Sequence, residues 1–156
     1  SNPSISQANP AISGDKIFIV HGHDDAAKLE VARFVEKIGF EPIILHEQAN
    51  NGMTIIEKIE KYSNVGFGIV LYTPCDVGYE DEKMARARQN VVFEHGYLIS
   101  KLVRDNVCAL VKGAVEIPND ISGIVYISLD SNEGWKLFLA KEMKSSGYKI
   151  DLNSVM

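Results

Sequence analysis

A glutamate, Glu94, stands in NVVFEHGYLISKL (residues 90–102) among Val91, Val92, Phe93, Tyr97 and Leu98, directly after the arginine-bearing run KMARARQ. A carboxylate set among apolar residues can stabilise a growing positive charge or move a proton. Most helix glutamates are simply solvated, so Glu94 alone favours the plainer reading. Residues on a helix turn by about 100° each. That spacing gathers Val91, Val92, Leu98, Ile99, Leu102 and Val103 into a buried stripe with His95 in its middle. His95 then reads as a hydrogen-bonded core histidine, and Gly96 as a close-packing position. Phe93 and Tyr97 point the other way, and Glu94 falls half-buried on the border of the stripe. Burying a charge is costly unless it is satisfied or used.

Three other stretches carry chemistry-bearing types. HGHDD (residues 21–25) sets two histidines around a glycine, with Asp24 or Asp25 able to cap a following helix. A tight turn plus a cap explains Gly22 and one aspartate but leaves His21 and His23 unexplained. HEQANNGM (residues 46–53) is a hydrogen-bonding loop that, taken alone, is a surface turn. TPCDVGYEDEKMARARQ (residues 73–89) is long for a connection, and its charges are segregated: Glu80, Asp81 and Glu82, then Lys83, Arg86 and Arg88. A solvated, self-neutralising loop is the default for such a run. The alternative is an arginine clamp on phosphate.

These stretches follow predicted strands. KIFIV (Lys16–Val20), PIIL (residues 42–45), GFGIVLY (66–72), NVCALV (106–111) and GIVYISL (123–129) are short apolar runs. Helical spacing occupies residues 24–38, 54–62, 90–103 and 133–145, with Thr54 and Glu57 forming a capping box. Trp135 and Phe138 read as core residues of the last helix. Alternating strands and helices predict an α/β flavodoxin-like fold, a parallel sheet of order 2-1-3-4-5 with helices on both faces. Ligands bind such sheets at the carboxyl ends of the strands, beside the switch point between strands one and three.

At 156 residues, with 46% hydrophobic and 24% charged residues, the chain suits one globular domain. A net charge of −5 argues against a nucleic-acid binder working through a basic face. No apolar run reaches membrane-spanning length. Two cysteines, Cys75 and Cys108, without metal-ligand spacing, suit a reducing compartment, and a cytoplasmic location is expected. Residues 1–15 read as a flexible linker or tag, and residues 16–156 as the folded domain. A receiver is disfavoured because LYTPCD lacks an aspartate at the strand tip and no lysine follows IVYISLD. No GxGxxG follows strand one, and FEHGY is not HExxH, which disfavours a dinucleotide oxidoreductase and a zinc hydrolase.

VHGHDDAAKLEVARFVEKIGFEPIILHEQANNGMTIIEKIEKY and RARQNVVFEHGYLISKLVRDNVCALV resemble the bacterial TIR-like (Toll/interleukin-1 receptor-like) domains that act as effectors in cyclic-nucleotide-triggered anti-phage defence. The resemblance implies a TIR three-layer fold and cleavage of NAD+ between nicotinamide and ribose. It makes Glu94 the catalytic residue. The substrate-binding set expected with it is His21, Gly22, His23, Asp24, Asn51, Tyr72, Thr73, Arg86, Arg88 and Asn90. It further implies that residues 46–53 mediate stacking with other TIR domains, that stacking activates the enzyme, and that a cyclic-nucleotide sensor domain accompanies it. NAD+ is then the substrate, with no cofactor and no metal. A linear or cyclic ADP-ribose product stays open. The rival reading is a TIR domain that only assembles.

Overall fold

The computed structural model describes residues 14–45, 54–62, 64–74, 82–113 and 123–155, the stretch 82–90 through its helical backbone alone. The strands are β1 (Lys16–Val20), β2 (Glu41–Ile44), β3 (Gly68–Tyr72), β4 (Val107–Val111) and β5 (Val125–Ser128). The helices are α1 (Asp25–Lys37), α2 (Ile55–Lys61), α3 (Glu82–Leu102) and α4 (Gly134–Ser145). Every strand pairing is parallel, in the order β2-β1-β3-β4-β5. This is the predicted flavodoxin-like order.

Period-two alternation sorts the strand residues between two cores. Ile17, Ile19, Ile69, Leu71, Cys108, Leu110 and Ile127 pack with α1 and α4. Trp135, Leu139, Ala140 and Met143 of α4 are fully buried there, and Trp135 meets Phe34 edge-on at 5.2 Å. Phe18, Val20, Ile43, Val70, Tyr72, Val107 and Ala109 face the opposite way, against Ile59 of α2 and Val91 and Leu98 of α3. Gly68 lets α3 come close, because a Cβ there would lie 3.0 Å from Leu98 Cδ1.

Capping fixes where the helices begin. The Asp24 side chain accepts from Ala27 N at 2.9 Å. Thr54 Oγ1 accepts from Glu57 N at 3.2 Å, and Glu57 Oε2 from Thr54 N at 3.1 Å, which is the expected capping box. At α4 the Asp130 carboxylate accepts from Gly134 N and Trp135 N, while Glu133 sits at the cap in a left-handed conformation.

Several expectations are corrected. α3 begins at Glu82, so part of the supposed polar connection is helix. Glu, Lys, Met, Ala, Arg and Gln are strong helix formers, and their propensity outweighs the missing apolar periodicity. Val92 is 39% and Val103 59% exposed, outside the buried stripe. Val103 lies past the end of α3 and turns out at φ 63°. Gly96 is exposed with nothing within 4 Å of a Cβ, and Gly68 supplies the close approach instead. Phe138 is 59% exposed, so only Trp135 of that pair is core.

Candidate active site

Glu94 and His95 sit on the turn of α3 that lies level with the tips of the strands. His95 is fully buried, and its Nδ1 shares a 2.7 Å hydrogen bond with the hydroxyl of Tyr72, the last residue of β3. Tyr126 of β5 closes the cluster, its ring centroid 6.2 Å from that of His95. Burial holds the imidazole neutral by pushing its pKa down to about 4. Burial, then the neighbouring Tyr126, pushes the Tyr72 hydroxyl upward. His95 is therefore the hydrogen-bonded core histidine that helical spacing predicts.

Glu94 is only 2% exposed. The expected border position is corrected to a buried one, because the spacing gives an angle around the helix and not the width of what covers it. Burial pushes its carboxyl up to about 7. That lies above the ordinary carboxylate range, since desolvation penalises the charged form.

The loop after β1 reaches α3. A Cβ on Gly22 would lie 3.8 Å from Val91 Cγ2, one turn before Glu94. His21 is buried, and its Nδ1 donates to Gly22 O at 2.8 Å, which places a ring proton on Nδ1. His23 is exposed. Asp24 is partly exposed and holds Lys112 Nζ at 2.7 Å. That hydrogen bond, then the Ala27 amide, keeps the Asp24 carboxyl below the usual range. Thr73 is partly exposed beyond β3.

His21, Gly22, Asp24, Tyr72 and Thr73 thus lie at the carboxyl ends of the central strands β1 and β3, and Glu94 on the helix packed against that side of the sheet. Asn51 and the rest of residues 46–53 lie outside the described residues, as do the side chains of Arg86, Arg88 and Asn90. The sequence reading passed over two lysines. Lys112 follows the tip of β4 and bonds across to Asp24. Lys58 of α2 is buried, and its Nζ donates to Leu45 O at 3.0 Å, at the root of the 46–53 loop. For Lys58, its place on the apolar side of α2 beside Ile55, Ile59 and Tyr62 was the available signal.

Residues 16–131 match the family described as "CAP12/Pycsar effector protein, TIR domain". The chain belongs to that family of TIR-domain defence effectors. It is 47% identical over 145 residues to "Uncharacterized protein YuaY" of Escherichia coli K12, an alignment covering 90% of this chain and 48% of that protein. It is 42% identical over 127 residues to "Protein tirC" of Dictyostelium discoideum, covering 72% of this chain and 63% of that protein. The chain therefore spans about half to two thirds of the relatives it matches. A CheY-like receiver domain of Methanospirillum hungatei JF-1 superposes with TM-score 0.38 at 13% identity, over 85% of this chain and 92% of its own, too distantly to bear on the site. Among the described residues no helix is long and apolar enough to cross a membrane.

Proposed function

We propose that this chain is an NAD+ glycohydrolase domain. The observation that carries the reading is a buried glutamate on α3, level with the carboxyl ends of the strands and beside the switch point, in a TIR effector domain. The bond between the ribose anomeric carbon and the nicotinamide nitrogen breaks, and its electron pair leaves with neutral nicotinamide. An oxocarbenium-like ribosyl group remains, and the Glu94 carboxylate stabilises it. Water adds to the anomeric carbon and gives up a proton, leaving ADP-ribose; attack by an adenine nitrogen would close a cyclic product. No general acid is needed, because the leaving group departs uncharged.

The raised pKa fits this task. A cationic nicotinamide ring arriving beside Glu94 draws the carboxyl back toward its ionised form. The ionised group then acts in a desolvated setting where a charge counts for more than in water. His21, Gly22, His23, Asp24, Asn51, Thr73, Arg86, Arg88 and Asn90 surround the substrate in this reading, with Tyr72 acting from behind through His95. NAD+ is substrate and no cofactor takes part. The domain works in the cytoplasm, is activated by stacking on further TIR domains, and answers to a cyclic-nucleotide sensor elsewhere in its protein.

The test is nicotinamide release from NAD+ by the chain at high concentration with a crowding agent, and by the full-length protein with candidate cyclic nucleotides. Release that Glu94→Gln abolishes supports the assignment; an alanine variant with wild-type turnover sinks it. Phe93, 61% exposed beside Glu94, with Val92 at 39%, favours the second reading of a pure assembly module. That reading predicts association without nicotinamide release under every condition.

A further inference from the structure

Lys112 lies at the carboxyl ends of the strands, where this fold class places its ligand crevice. Its backbone N donates to Tyr72 O at 2.8 Å, which seats it beside the tip of β3. Its side chain then passes over the end of β3, the strand between β4 and β1, and Nζ reaches Asp24 Oδ2 at 2.7 Å. The other carboxylate oxygen, Oδ1, is held by Ala27 N at 2.9 Å. Asp24 is thus fixed at both oxygens and in turn fixes the ammonium. The Lys112 side chain is still 44% exposed, and an ammonium carries three N–H donors.

The two sides of the switch point carry different groups. Cys108 and Leu110 face α1 and α4, and Asp24 caps α1, so the ion pair stands on that side of the switch point. Glu94 stands on the other side, on α3. A nicotinamide nucleotide has the matching asymmetry, a cationic ring on ribose at one end and an anionic pyrophosphate next to it.

We infer that Lys112 is a phosphate-binding residue of this site, held ready by Asp24, and that it selects substrates bearing a pyrophosphate. The inference rests on the reading of the crevice as a dinucleotide site. A lysine serving only as a strut between two loops would do nothing for ligand affinity, and half-exposed ion pairs contribute little to stability. Ligand binding therefore separates the two roles.

ADP-ribose, inorganic pyrophosphate and nicotinamide riboside are titrated by calorimetry into the chain and into K112Q and K112R, with thermal melts confirming the fold. K112M replaces K112Q should the glutamine variant not fold. K112Q is expected to weaken ADP-ribose and pyrophosphate about tenfold or more, the loss of one hydrogen bond to a charged group. Riboside binding should not change, and K112R should hold ADP-ribose within about threefold. ADP-ribose affinity unchanged in K112Q, equal weakening of the riboside, or wild-type protein that binds neither pyrophosphate compound would overturn the inference. Nicotinamide release, measured separately, tests the catalytic reading by itself. Turnover with unchanged K112Q affinity removes only the role of Lys112. Lys112-dependent ADP-ribose binding without turnover removes only the catalysis.

Discussion

The two faces of the sheet are built to different rules. Under α1 and α4 the core is hydrocarbon and aromatic rings, with Trp135, Leu139, Ala140 and Met143 fully buried, and the buried Lys28 of α1 is paired with Asp25 at 3.3 Å. Under α2 and α3 the core admits Lys58, Glu94 and His95 among its buried residues. One face supplies stability. The other spends stability, since burial pushes Glu94 and His95 toward their uncharged forms. The contrast teaches where the proposed chemistry would be housed: on the face whose helix follows β3 and buries both Glu94 and His95.

The sharpest way to break that contrast is to remove the carboxylate. Glu94→Gln should lower NAD+ turnover by roughly a thousandfold, about 4 kcal/mol of transition-state stabilisation. Steady-state nicotinamide release reads it, and circular dichroism should show the fold intact. The opposite outcome is expected across the sheet. Leu139→Ala should cost roughly 3–4 kcal/mol by urea denaturation, while turnover of the folded fraction stays within about twofold.

A smaller effect separates the neighbours Glu94 and His95 by pH. The buried Glu94 keeps its proton up to about 7 when folded, against 4.5 for a solvated glutamate, so its share of stability falls as pH rises through that window. The buried His95 refuses a proton down to about 4, against 6.5, so its share rises with pH from about 4 to 6.5. The two slopes oppose each other where the windows overlap. Glu94→Gln should therefore expose a stability that climbs with pH up to 6.5, and should make the protein more stable than wild type at pH 8 by on the order of 2–3 kcal/mol. His95→Phe should show the reverse slope. Urea midpoints at several pH values check both, and parallel profiles for the two variants would contradict the pairing. The smallest effect is structural: Thr54→Ala removes the capping-box oxygen of α2 and should cost about 1 kcal/mol.

Much of this was legible in the residues. β1 runs Lys16–Val20 as its β-rich pattern predicts, and Asp24 and Thr54 cap their helices as their types predict. Parallel, doubly covered strands leave continuous apolar runs, and such runs are easy to see. The start of α3 was hidden because a polar helical turn has no periodicity to reveal it. The depth of Glu94 was hidden because burial depends on neighbours that are distant in sequence. Lys112 carried no signal in the sequence, since its partner Asp24 lies 88 residues away. Gly68 was the signal missed for close packing, a glycine inside a strand that reads as buried.

Parallel pairing also sets the order in which the molecule can be assembled. β1 lies between β2 and β3, and Phe18 pairs with Gly68 across the chain that carries α1, β2 and α2. Such long-range closures are slow, because chain entropy is lost before the contacts form. Gly22, Tyr72, Glu94 and Lys112 come from four separate pieces of the chain. They meet only where β1, β3 and β4 are paired, so this end of the sheet should form late in refolding, after most of the helix content has returned.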